Sequence, residues 1–353
     1  MKLALEFAHK GDGKTSPNPA VGAVIVKNNR LIATGWHRRA GADHAEIDAL
    51  NKAGQRARGA KLYVTLEPCH HFGRTPPCVD RIIKSGIKEV IVAMKDPNPQ
   101  TNGKSLAKLK RNRIKTHLGV LTAEAQALNK PFIKYQRTKL PFVTAKIAQT
   151  IDGKSALRNG RSKWITSEET RKFSRRLRHQ FDAILVGVNT ILKDNPRLDP
   201  YPFKSRFYKV IIDSKLQTGL NSRVFAKNCS RCVIVTTSKA SKIKLKKFQD
   251  KGIEVLVSPG MSTQVNLKWA MKQLAQREML NVLIEGGPTT IGSALKDNLI
   301  DRVHIYMAPK ITGDERALSS VKGVRCLRLD IAKKMKNVSY QEIGEDLFIQ
   351  GDI

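Results

Sequence analysis

The residues of this chain that could do chemistry concentrate between positions 44 and 78. His44 is followed two positions later by Glu46, and the cysteines Cys69 and Cys78 come after a strand-like stretch over 61–66. One imidazole and two thiolates can hold zinc and leave the fourth tetrahedral position open for water. The metal lowers the pKa of that water, so hydroxide forms near neutral pH. The pattern therefore predicts a catalytic zinc site with His44, Cys69 and Cys78 as ligands.

Residues beside the predicted ligands extend the pattern. His-x-Glu followed by Pro-Cys is the signature of zinc-dependent base deaminases, in which the glutamate carries protons from water to the departing ammonia. Glu46 and Pro68 occupy these positions, so Glu46 is the predicted proton shuttle. Residues two apart lie about 200° apart around a helix, so His44 and Glu46 converge only at a helix start, for which Asp43 is the predicted N-cap. A second helix N-terminus is predicted near Cys69, where it would favour the thiolate.

Each part of the pattern also has an ordinary structural explanation. A lone His-x-Glu pair is usually solvated, and two cysteines nine positions apart can be buried thiols. All four residues in this order, with a strand between them, favour the metal site. Cys229 and Cys232 have the CxxC spacing of zinc and redox sites, but no second CxxC or nearby histidine completes a ligand set. We interpret that second pair as structural.

The charge of the chain raises a different hypothesis. There are 64 lysine and arginine residues against 30 aspartate and glutamate residues, a formal net charge of +34. Such a charge admits a tRNA or DNA base deaminase with a basic accessory domain. The basic residues are spread along the whole chain, however, and aromatic residues make up only 6% of it. A positive field that attracts anionic small molecules explains the charge at least as well, so nucleic acid is the less favoured partner.

Length and composition predict a two-domain cytoplasmic protein. A chain of 353 residues is long enough for two domains, and 41% hydrophobic residues suffice for real cores. Five cysteines are few and odd in number, which argues for a reducing compartment. There is no signal peptide and no apolar run of about 18 residues, so no membrane contact is expected.

The first part of the chain alternates predicted helices and strands, which favours an α/β sandwich around a central sheet. Asp96-Pro97-Asn98-Pro99 follows a predicted strand, where ligands bind in such sheets. Asn18 lies between two prolines and is rigidly presented, so its amide could read a base edge. A basic connector that ends the segment 122–140 predicts a domain boundary near residue 140. The predicted helices cover 3–10, 44–53 and the segment after Cys78, and the predicted strands cover 23–26, 31–36, 61–66 and 89–94. The segment 104–121 is predicted to hold a helix and a short strand.

A second α/β pattern follows this boundary. One predicted strand ends in Glu285-Gly286-Gly287 and leads into a predicted helix over 288–295, with Pro288 at its first position. Glycines let backbone N–H groups approach a phosphate, and a helix N-terminus favours its charge. A packing role for the two glycines explains the pattern nearly as well. Ser167 is the predicted N-cap of a basic helix from Glu168 to Arg178. The predicted strands cover 142–148, 183–186, 209–213, 232–236, 253–257, 281–285 and 301–308.

Taken together, these motifs resemble the bifunctional deaminase–reductases of riboflavin biosynthesis. The resemblance implies a cytidine-deaminase-like three-layer α/β/α domain over residues 1–140, followed by a dihydrofolate-reductase-like α/β domain over residues 141–353. The runs that resemble the deaminase half are His37, 39–41, 44–46, 65–69, 73–78 and 96–99. Those that resemble the reductase half are 146–153, 162–167, 192–198 and 285–288.

Two consecutive reactions are implied by this resemblance. The first is hydrolytic deamination of 2,5-diamino-6-ribosylamino-4(3H)-pyrimidinone 5′-phosphate through zinc hydroxide. The second is reduction of the ribosyl group to a ribityl chain by NADPH. The implied cofactors are Zn²⁺ and NADPH, the implied partner is a phosphorylated pyrimidine, and a homo-oligomer is expected.

The resemblance also implies roles for individual residues. Lys146, a charged group at the end of a strand, is our candidate general acid of the reductase, although a solvated lysine is an equally good explanation. Which residue binds the substrate phosphate in the reductase half stays open, with Arg206 as a candidate. The substrate contacts implied are Asn18, His37, His71, Arg74, Asp96, Asn98, Ser162, Arg178, Leu198 and Glu285. The nucleotide contacts implied are Ala148, Trp164, Thr190, Asp194, Ser214, Gly287, Pro288, Thr289, Thr290, Ile291, Gly292 and Ser293.

Overall fold

The computed structural model describes residues 1–72, 76–202, 204 and 206–353. The chain forms two compact units, Met1–Leu140 and Pro141–Ile353, which are called unit 1 and unit 2 below. Among the described residues, no helix is long and apolar enough to cross a bilayer.

Unit 1 is built on a five-stranded sheet. Its order is β2-β1-β3-β4-β5, with β1 antiparallel to both neighbours and β3, β4 and β5 parallel. Strands and helices alternate along the chain, which confirms the predicted α/β architecture. The strands are β1 (Gly22–Lys27), β2 (Arg30–Trp36), β3 (Lys61–Val64), β4 (Glu89–Val92) and β5 (Lys115–Leu118). The helices are α1 (Lys2–His9), α2 (Ala45–Ala53), α3 (Cys78–Lys84), α4 (Lys104–Arg111), α5 (Thr122–Leu128) and α6 (Lys130–Thr138).

Apolar strand residues and small helix residues form the core of unit 1. Ile25, Leu62 and Val90 of three neighbouring strands are fully buried. They belong to the same cluster as Ala49 of α2 and Ile82 of α3. Removal of this apolar surface from water is the main force that holds the helices against the sheet.

Two glycines allow the helices to approach the sheet closely. A Cβ at Gly22 would lie 2.0 Å from the carbonyl oxygen of Ala4 in α1. A Cβ at Gly35 would lie 2.2 Å from the carbonyl oxygen of Ala45 and 2.5 Å from the backbone nitrogen of Ala49, both in α2. Only glycine fits at position 35, and it therefore sets the depth at which the first turn of α2 sits.

The start of α2 differs by one residue from the prediction. His44, with φ −69° and ψ 158°, is the N-cap, so the prediction of Asp43 is wrong. The carbonyl of His44 accepts the amide of Asp48 at 2.9 Å and closes the first turn. The carbonyl of Asp43 instead accepts a hydrogen bond from the ring of His37. The prediction that His44 and Glu46 meet at a helix start is confirmed.

Unit 2 is built on a nine-stranded sheet of order β11-β10-β9-β8-β12-β6-β13-β16-β15, and β7 pairs with β14. The seven strands from β11 to β13 in this spatial order are parallel to their neighbours. Strand β16 is antiparallel to β13, and β15 is antiparallel to β16. The strands are β6 (Phe142–Thr150), β7 (Lys154–Ala156), β8 (Ala183–Gly187), β9 (Tyr208–Ile212), β10 (Cys232–Thr237), β11 (Glu254–Ser258), β12 (Asn281–Ile284), β13 (Arg302–Ala308), β14 (Leu318–Ser319), β15 (Lys336–Ile343) and β16 (Asp346–Asp352). The helices are α7 (Glu168–Leu177), α8 (Val188–Asp194), α9 (Lys242–Asp250), α10 (Leu267–Gln276) and α11 (Pro288–Lys296).

The seven strands predicted for unit 2 are all present, and two predicted helix starts are confirmed. The side chain of Ser167 accepts a hydrogen bond from the amide of Thr170 and caps α7. Pro288 opens α11, with three residues between the end of β12 and the helix. The hairpin of β15 and β16 was not predicted, because β15 is exposed along most of its length and therefore lacks the alternation of a half-buried strand.

The close approach at Gly35 generates the first prediction. Gly35→Ala should lower the free energy of unfolding of unit 1 by about 1–3 kcal/mol, because the added methyl group forces α2 away from the sheet. Thermal unfolding followed by circular dichroism measures this. Gly219→Ala is the matched control, since its added Cβ would meet nothing closer than Ser222 Oγ at 3.6 Å. Equal stability of the two variants would contradict the proposed role of Gly35.

Candidate active sites

Three side chains of unit 1 converge as the sequence predicts. His44 Nδ1 lies 3.1 Å from Cys78 Sγ and 3.6 Å from Cys69 Sγ, and all three ligand atoms lie within 4.8 Å of one another. Zn–S bonds of about 2.3 Å and a Zn–N bond of about 2.0 Å at a tetrahedral angle put nitrogen and sulfur about 3.5 Å apart. The three side chains therefore lie close to the arrangement that a zinc ion requires.

Two helix starts hold these ligands in place. His44 immediately precedes α2, and Cys78 is the first residue of α3. Cys69 lies in the irregular segment after β3, and the backbone N–H of Cys78 donates to its Sγ at 3.1 Å. The second helix thus starts at Cys78 rather than near Cys69 in the sequence, but its first N–H points at the Cys69 sulfur. Hydrogen bonds from Cys78 and His44 lower the pKa of the Cys69 thiol, which favours the thiolate that zinc requires.

Glu46 lies beside the three ligands. It is 3% exposed, and burial raises its pKa to about 7. Its carboxyl group interacts with His44 and Cys69 through their charges and with the Cys78 side chain through a hydrogen bond. The sequence pattern therefore brings a carboxyl group next to the ligand cluster.

A pair of polar side chains adjoins His44. The rings of His37 and His44 are 5.3 Å apart, edge to face. Nδ1 of His37 lies 2.9 Å from the carbonyl of Asp43, and Nε2 lies 3.0 Å from Asn18 Nδ2. Burial lowers the pKa of His37 and favours its neutral form. Nδ1 then donates to Asp43, Nε2 accepts from the Asn18 amide, and the orientation of Asn18 is fixed.

Another polar group gathers around Asp96. Burial raises the pKa of Asp96 to about 6, and Thr101 hydrogen-bonds to its carboxylate. The hydroxyl of Thr101 also lies 3.3 Å from His71 Nδ1, and one oxygen of Asp96 accepts the amide of Asn98 at 2.8 Å. His71, Asp96 and Asn98 thus lie together as the resemblance implies. Arg74 lies outside the described residues.

Sequence reasoning missed the group that holds this loop. Glu67 is 2% exposed, and its Oε2 accepts the backbone amides of Asp96 at 3.2 Å and Gly103 at 2.9 Å. It therefore ties the loop after β4 to the segment that carries Cys69. Its position between Leu66 and Pro68 in the motif was the available signal, because a glutamate directly after a buried strand needs buried partners.

The second candidate site is a cavity of about 1340 Å³ in unit 2. Every reductase residue implied by the resemblance lines this cavity except Gly292. A Cβ at Gly292 would lie 1.8 Å from the carbonyl oxygen of Lys322, so this glycine is required for packing and does not face the ligand space. The lining includes Lys146, Ala148, Ser162, Trp164, Arg178, Thr190, Asp194, Leu198, Ser214, Glu285, Gly287, Pro288, Thr289, Thr290, Ile291 and Ser293.

A partly buried carboxylate organises the charged groups of this cavity. Glu285 Oε1 lies 3.2 Å from Lys146 Nζ, and Oε2 accepts from Arg178 Nε at 3.1 Å and Nη2 at 2.9 Å. Burial alone would raise the pKa of Glu285, but the charges of Arg178 and Lys146 outweigh it and lower that pKa to about 2. Lys146 is therefore a partly buried, ion-paired group (19% exposed), which argues against the solvated-lysine explanation. Tyr306 of β13 places its ring centre 5.5 Å from Lys146 Nζ, a contact that sequence reasoning missed.

The cavity also fits a phosphorylated nucleotide. The start of α11 opens onto it, and a Cβ at the N-cap Gly287 would meet nothing within 4 Å. Open space at the start of a helix of nine residues is suited to an anion. Trp164, 60% exposed, stacks with Arg171 at 4.1 Å and offers a flat surface at the same cavity. Arg206, the candidate phosphate contact, pairs with Glu278 at 2.8 Å and is not among the cavity-lining residues.

The CxxC pair has no catalytic environment. Cys232 is fully buried, and burial raises the pKa of its thiol to about 12. Cys229 and Cys232 are both free thiols, and the only cluster of potential metal ligands within the described ranges is His44, Cys69 and Cys78.

The fold and the two sites define a zinc-type base deaminase joined to a nucleotide-dependent reductase. Residues 1–94 match the family model of the cytidine and deoxycytidylate deaminase zinc-binding region, and residues 141–349 match that of the RibD C-terminal domain. The riboflavin biosynthesis protein RibD of Aquifex aeolicus is 44% identical, with 99% of this chain and 96% of the relative covered. RibD of Escherichia coli is 35% identical, with 98% and 96% covered.

Solved structures of proteins with the same activities or the same name are also similar to this chain. One is the Thermotoga maritima diaminohydroxyphosphoribosylaminopyrimidine deaminase/5-amino-6-(5-phosphoribosylamino)uracil reductase, with 36% identity, a TM-score of 0.87, and 100% of this chain and 97% of that chain covered. Acinetobacter baumannii RibD gives 31% identity and a TM-score of 0.90 over the same shares. The chain belongs to the RibD family of bifunctional deaminase–reductases of riboflavin biosynthesis. The predicted fold classes and the predicted bifunctional activity are thereby confirmed.

The geometry of the ligand cluster generates the second prediction. Cys78→Ala should abolish stoichiometric zinc binding, because two remaining ligands cannot complete a stable tetrahedral site. Zinc in the purified protein is measured by mass spectrometry of the metal. Cys229→Ala is the control for loss of a cysteine and should retain zinc. Loss of zinc from Cys229→Ala alone would show that the metal lies at the CxxC pair.

Proposed function

We propose that unit 1 removes an exocyclic amine from 2,5-diamino-6-ribosylamino-4(3H)-pyrimidinone 5′-phosphate by hydrolysis, and that unit 2 then reduces the ribosyl group to a ribityl chain with NADPH. The convergence of His44, Cys69 and Cys78 beside buried Glu46 carries the first half of the proposal. The name of the Thermotoga maritima relative describes the same pair of activities.

In unit 1 the proposed ligands are His44, Cys69 and Cys78. Zinc, when bound there, supplies a Lewis acid that lowers the pKa of a water molecule toward neutrality. Glu46 accepts the proton of the attacking water and delivers protons to a ring nitrogen and to the amine that leaves as ammonia. Its burial keeps bulk water away from the carboxyl group, so the transferred protons stay within the site.

The substrate base is bound by polar side chains whose orientations are fixed in advance. The Nδ2 group of Asn18 donates a hydrogen bond to His37. The carbonyl oxygen of the same amide can therefore accept from a donor such as the substrate amine. Asp96, His71 and Asn98 form the second group of proposed contacts, held by Thr101 and by the backbone. Such prior fixing reduces the entropy that binding must overcome.

In unit 2 the substrate sugar lies against Lys146, Arg178 and Glu285, and the nucleotide lies along the start of α11 and Trp164. NADPH, when bound, supplies a hydride to the sugar carbon. The bond from that carbon to the ring oxygen breaks as the hydride is added, and Lys146 is the proposed donor of the proton that the ring oxygen takes up. Glu285 holds Lys146 in position, and the basic residues of the cavity favour anionic ligands.

Two further predictions of the sequence also belong to this proposal. A homo-oligomer is supported by β15, an exposed strand at the edge of the sheet, because an unpaired edge can add a strand of a second copy. A cytoplasmic location is supported by the five free thiols, which persist in a reducing compartment.

Glu46→Ala tests the deaminase half and is the third prediction. Ammonia release should fall by about 10²-fold or more, because the proton shuttle is lost. Bound zinc and NADPH oxidation with the deaminated pyrimidine should be unchanged. Ammonia release at the wild-type rate would refute the role of Glu46. Saturable tRNA binding by the wild type, with no NADPH turnover, would favour the rival nucleic-acid deaminase.

Glu285→Gln tests the reductase half and is the fourth prediction. It keeps the shape of the side chain but removes the charge that orients Lys146 and Arg178, so kcat/KM for NADPH oxidation should fall by about 10²-fold. Ammonia release by unit 1 should not change. Glu278→Gln is the matched control, because Glu278 forms an ion pair outside the cavity. Equal losses in the two variants would contradict a specific role of Glu285.

A further inference from the structure

A buried lysine lies behind the cavity of unit 2. Lys209 of β9 is 3% exposed and is not among the residues that line the cavity. Its Nζ lies 2.6 Å from Asp199 Oδ1 and donates to the carbonyl of Val224 at 3.1 Å. A buried ammonium group is unfavourable unless it is paired, so the position of Asp199 is tied to that of Lys209.

Asp199 belongs to the loop after α8 and faces the cavity. Its side chain is held by Lys209, and its main-chain carbonyl accepts from Arg178 Nη1 at 2.9 Å. The other two nitrogens of Arg178 bind Glu285, which binds Lys146. Five residues of alternating charge therefore connect the buried lysine to the proposed proton donor, in the order Lys209, Asp199, Arg178, Glu285 and Lys146.

The same loop has an unfavourable backbone. Leu198 has a φ value of 60°, in the left-handed region that residues other than glycine, asparagine and aspartate disfavour. Leu198 is 5% exposed and packs into the core of unit 2, although it also lines the cavity. A loop in this conformation keeps its shape only when neighbouring groups hold it, and the residue directly after Leu198 is Asp199.

We propose that Lys209 and Asp199 are positioning residues of the reductase. Their ion pair holds the loop against Arg178 and keeps the Asp199 carboxylate turned away from the guanidinium group. Arg178 can then bind Glu285 through two nitrogens, and Glu285 keeps Lys146 in place. This inference rests on the proposed reductase function and adds two residues that do not themselves touch the reacting atoms.

Removal of the lysine charge should disturb the site in a defined way. Without Lys209, the carboxylate of Asp199 loses its ion-pair partner, and Arg178 is already bonded to the main-chain carbonyl of the same residue. Asp199 then competes with Glu285 for Arg178. Removal of both charges eliminates that competition, so a double variant should recover much of what the single variant loses.

The test is a double-mutant cycle in the full-length chain, and it is the fifth prediction. Lys209→Met should raise KM for the deaminated pyrimidine about tenfold and lower kcat of NADPH oxidation. Asp199→Asn alone leaves no carboxylate to compete for Arg178 and should raise the pyrimidine KM less than Lys209→Met does. The double variant Lys209→Met with Asp199→Asn should return to within about threefold of the wild type. KM for NADPH and ammonia release by unit 1 should stay within about twofold in both. Arg277→Met is the control, because Arg277 forms an exposed ion pair with Glu254.

The possible outcomes separate this inference from the function on which it rests. Wild-type protein that fails to oxidise NADPH with the deaminated pyrimidine refutes the proposed reductase reaction itself. An active wild type whose single variant has an unchanged pyrimidine KM overturns the positioning role alone. Additive losses in the cycle, or equal rises of both KM values, would indicate a purely structural ion pair and also overturn it. If Lys209→Met does not fold, Lys209→Gln, which also removes the charge and leaves the Asp199 carboxylate in place, replaces it, with the same rise in pyrimidine KM expected and the same unchanged value overturning the inference.

Discussion

The deaminase unit depends on the meeting of two helix starts. One imidazole and two thiols must lie within bonding distance of a single ion, and His44 and Glu46 could not share a face in the middle of a regular helix. His44 precedes α2, Cys78 opens α3, and the first N–H of α3 points at the Cys69 sulfur. Gly35 allows α2 to lie close enough to the sheet for this arrangement. Backbone packing thus determines whether the ligands converge.

The reductase unit depends on ion pairs that hold its charged side chains in place. Glu285 is a partly buried carboxylate (19% exposed), and it stays charged because Lys146 contacts one of its oxygens and Arg178 the other. A buried charge with one partner removed is strongly destabilising, so the three groups act as one unit. The Lys209–Asp199 pair extends this network behind the cavity. The net charge of +34 therefore includes basic groups with defined structural partners as well as a general field for anions.

Much of this could be predicted from the sequence. The ligand spacing, the Pro-Cys motif and the two glycines before Pro288 are local patterns whose chemistry does not depend on distant residues. Apolar runs predicted the strands of both sheets, except the hairpin of β15 and β16, because exposed strands lack that signal. The N-cap of α2 was predicted one residue early, since helix ends are set by backbone hydrogen bonds that local composition constrains only loosely.

The sequence by itself determined which residue types were available for metal, proton and phosphate chemistry, because those roles need particular functional groups in a particular order. Only the tertiary structure decided which of them act together. Lys146 and Glu285 are 139 positions apart, and Glu67 binds the backbone of a loop 29 to 36 positions away. Contacts over such separations follow from strand order and burial, since a charged group removed from water must take the partner that the fold places beside it.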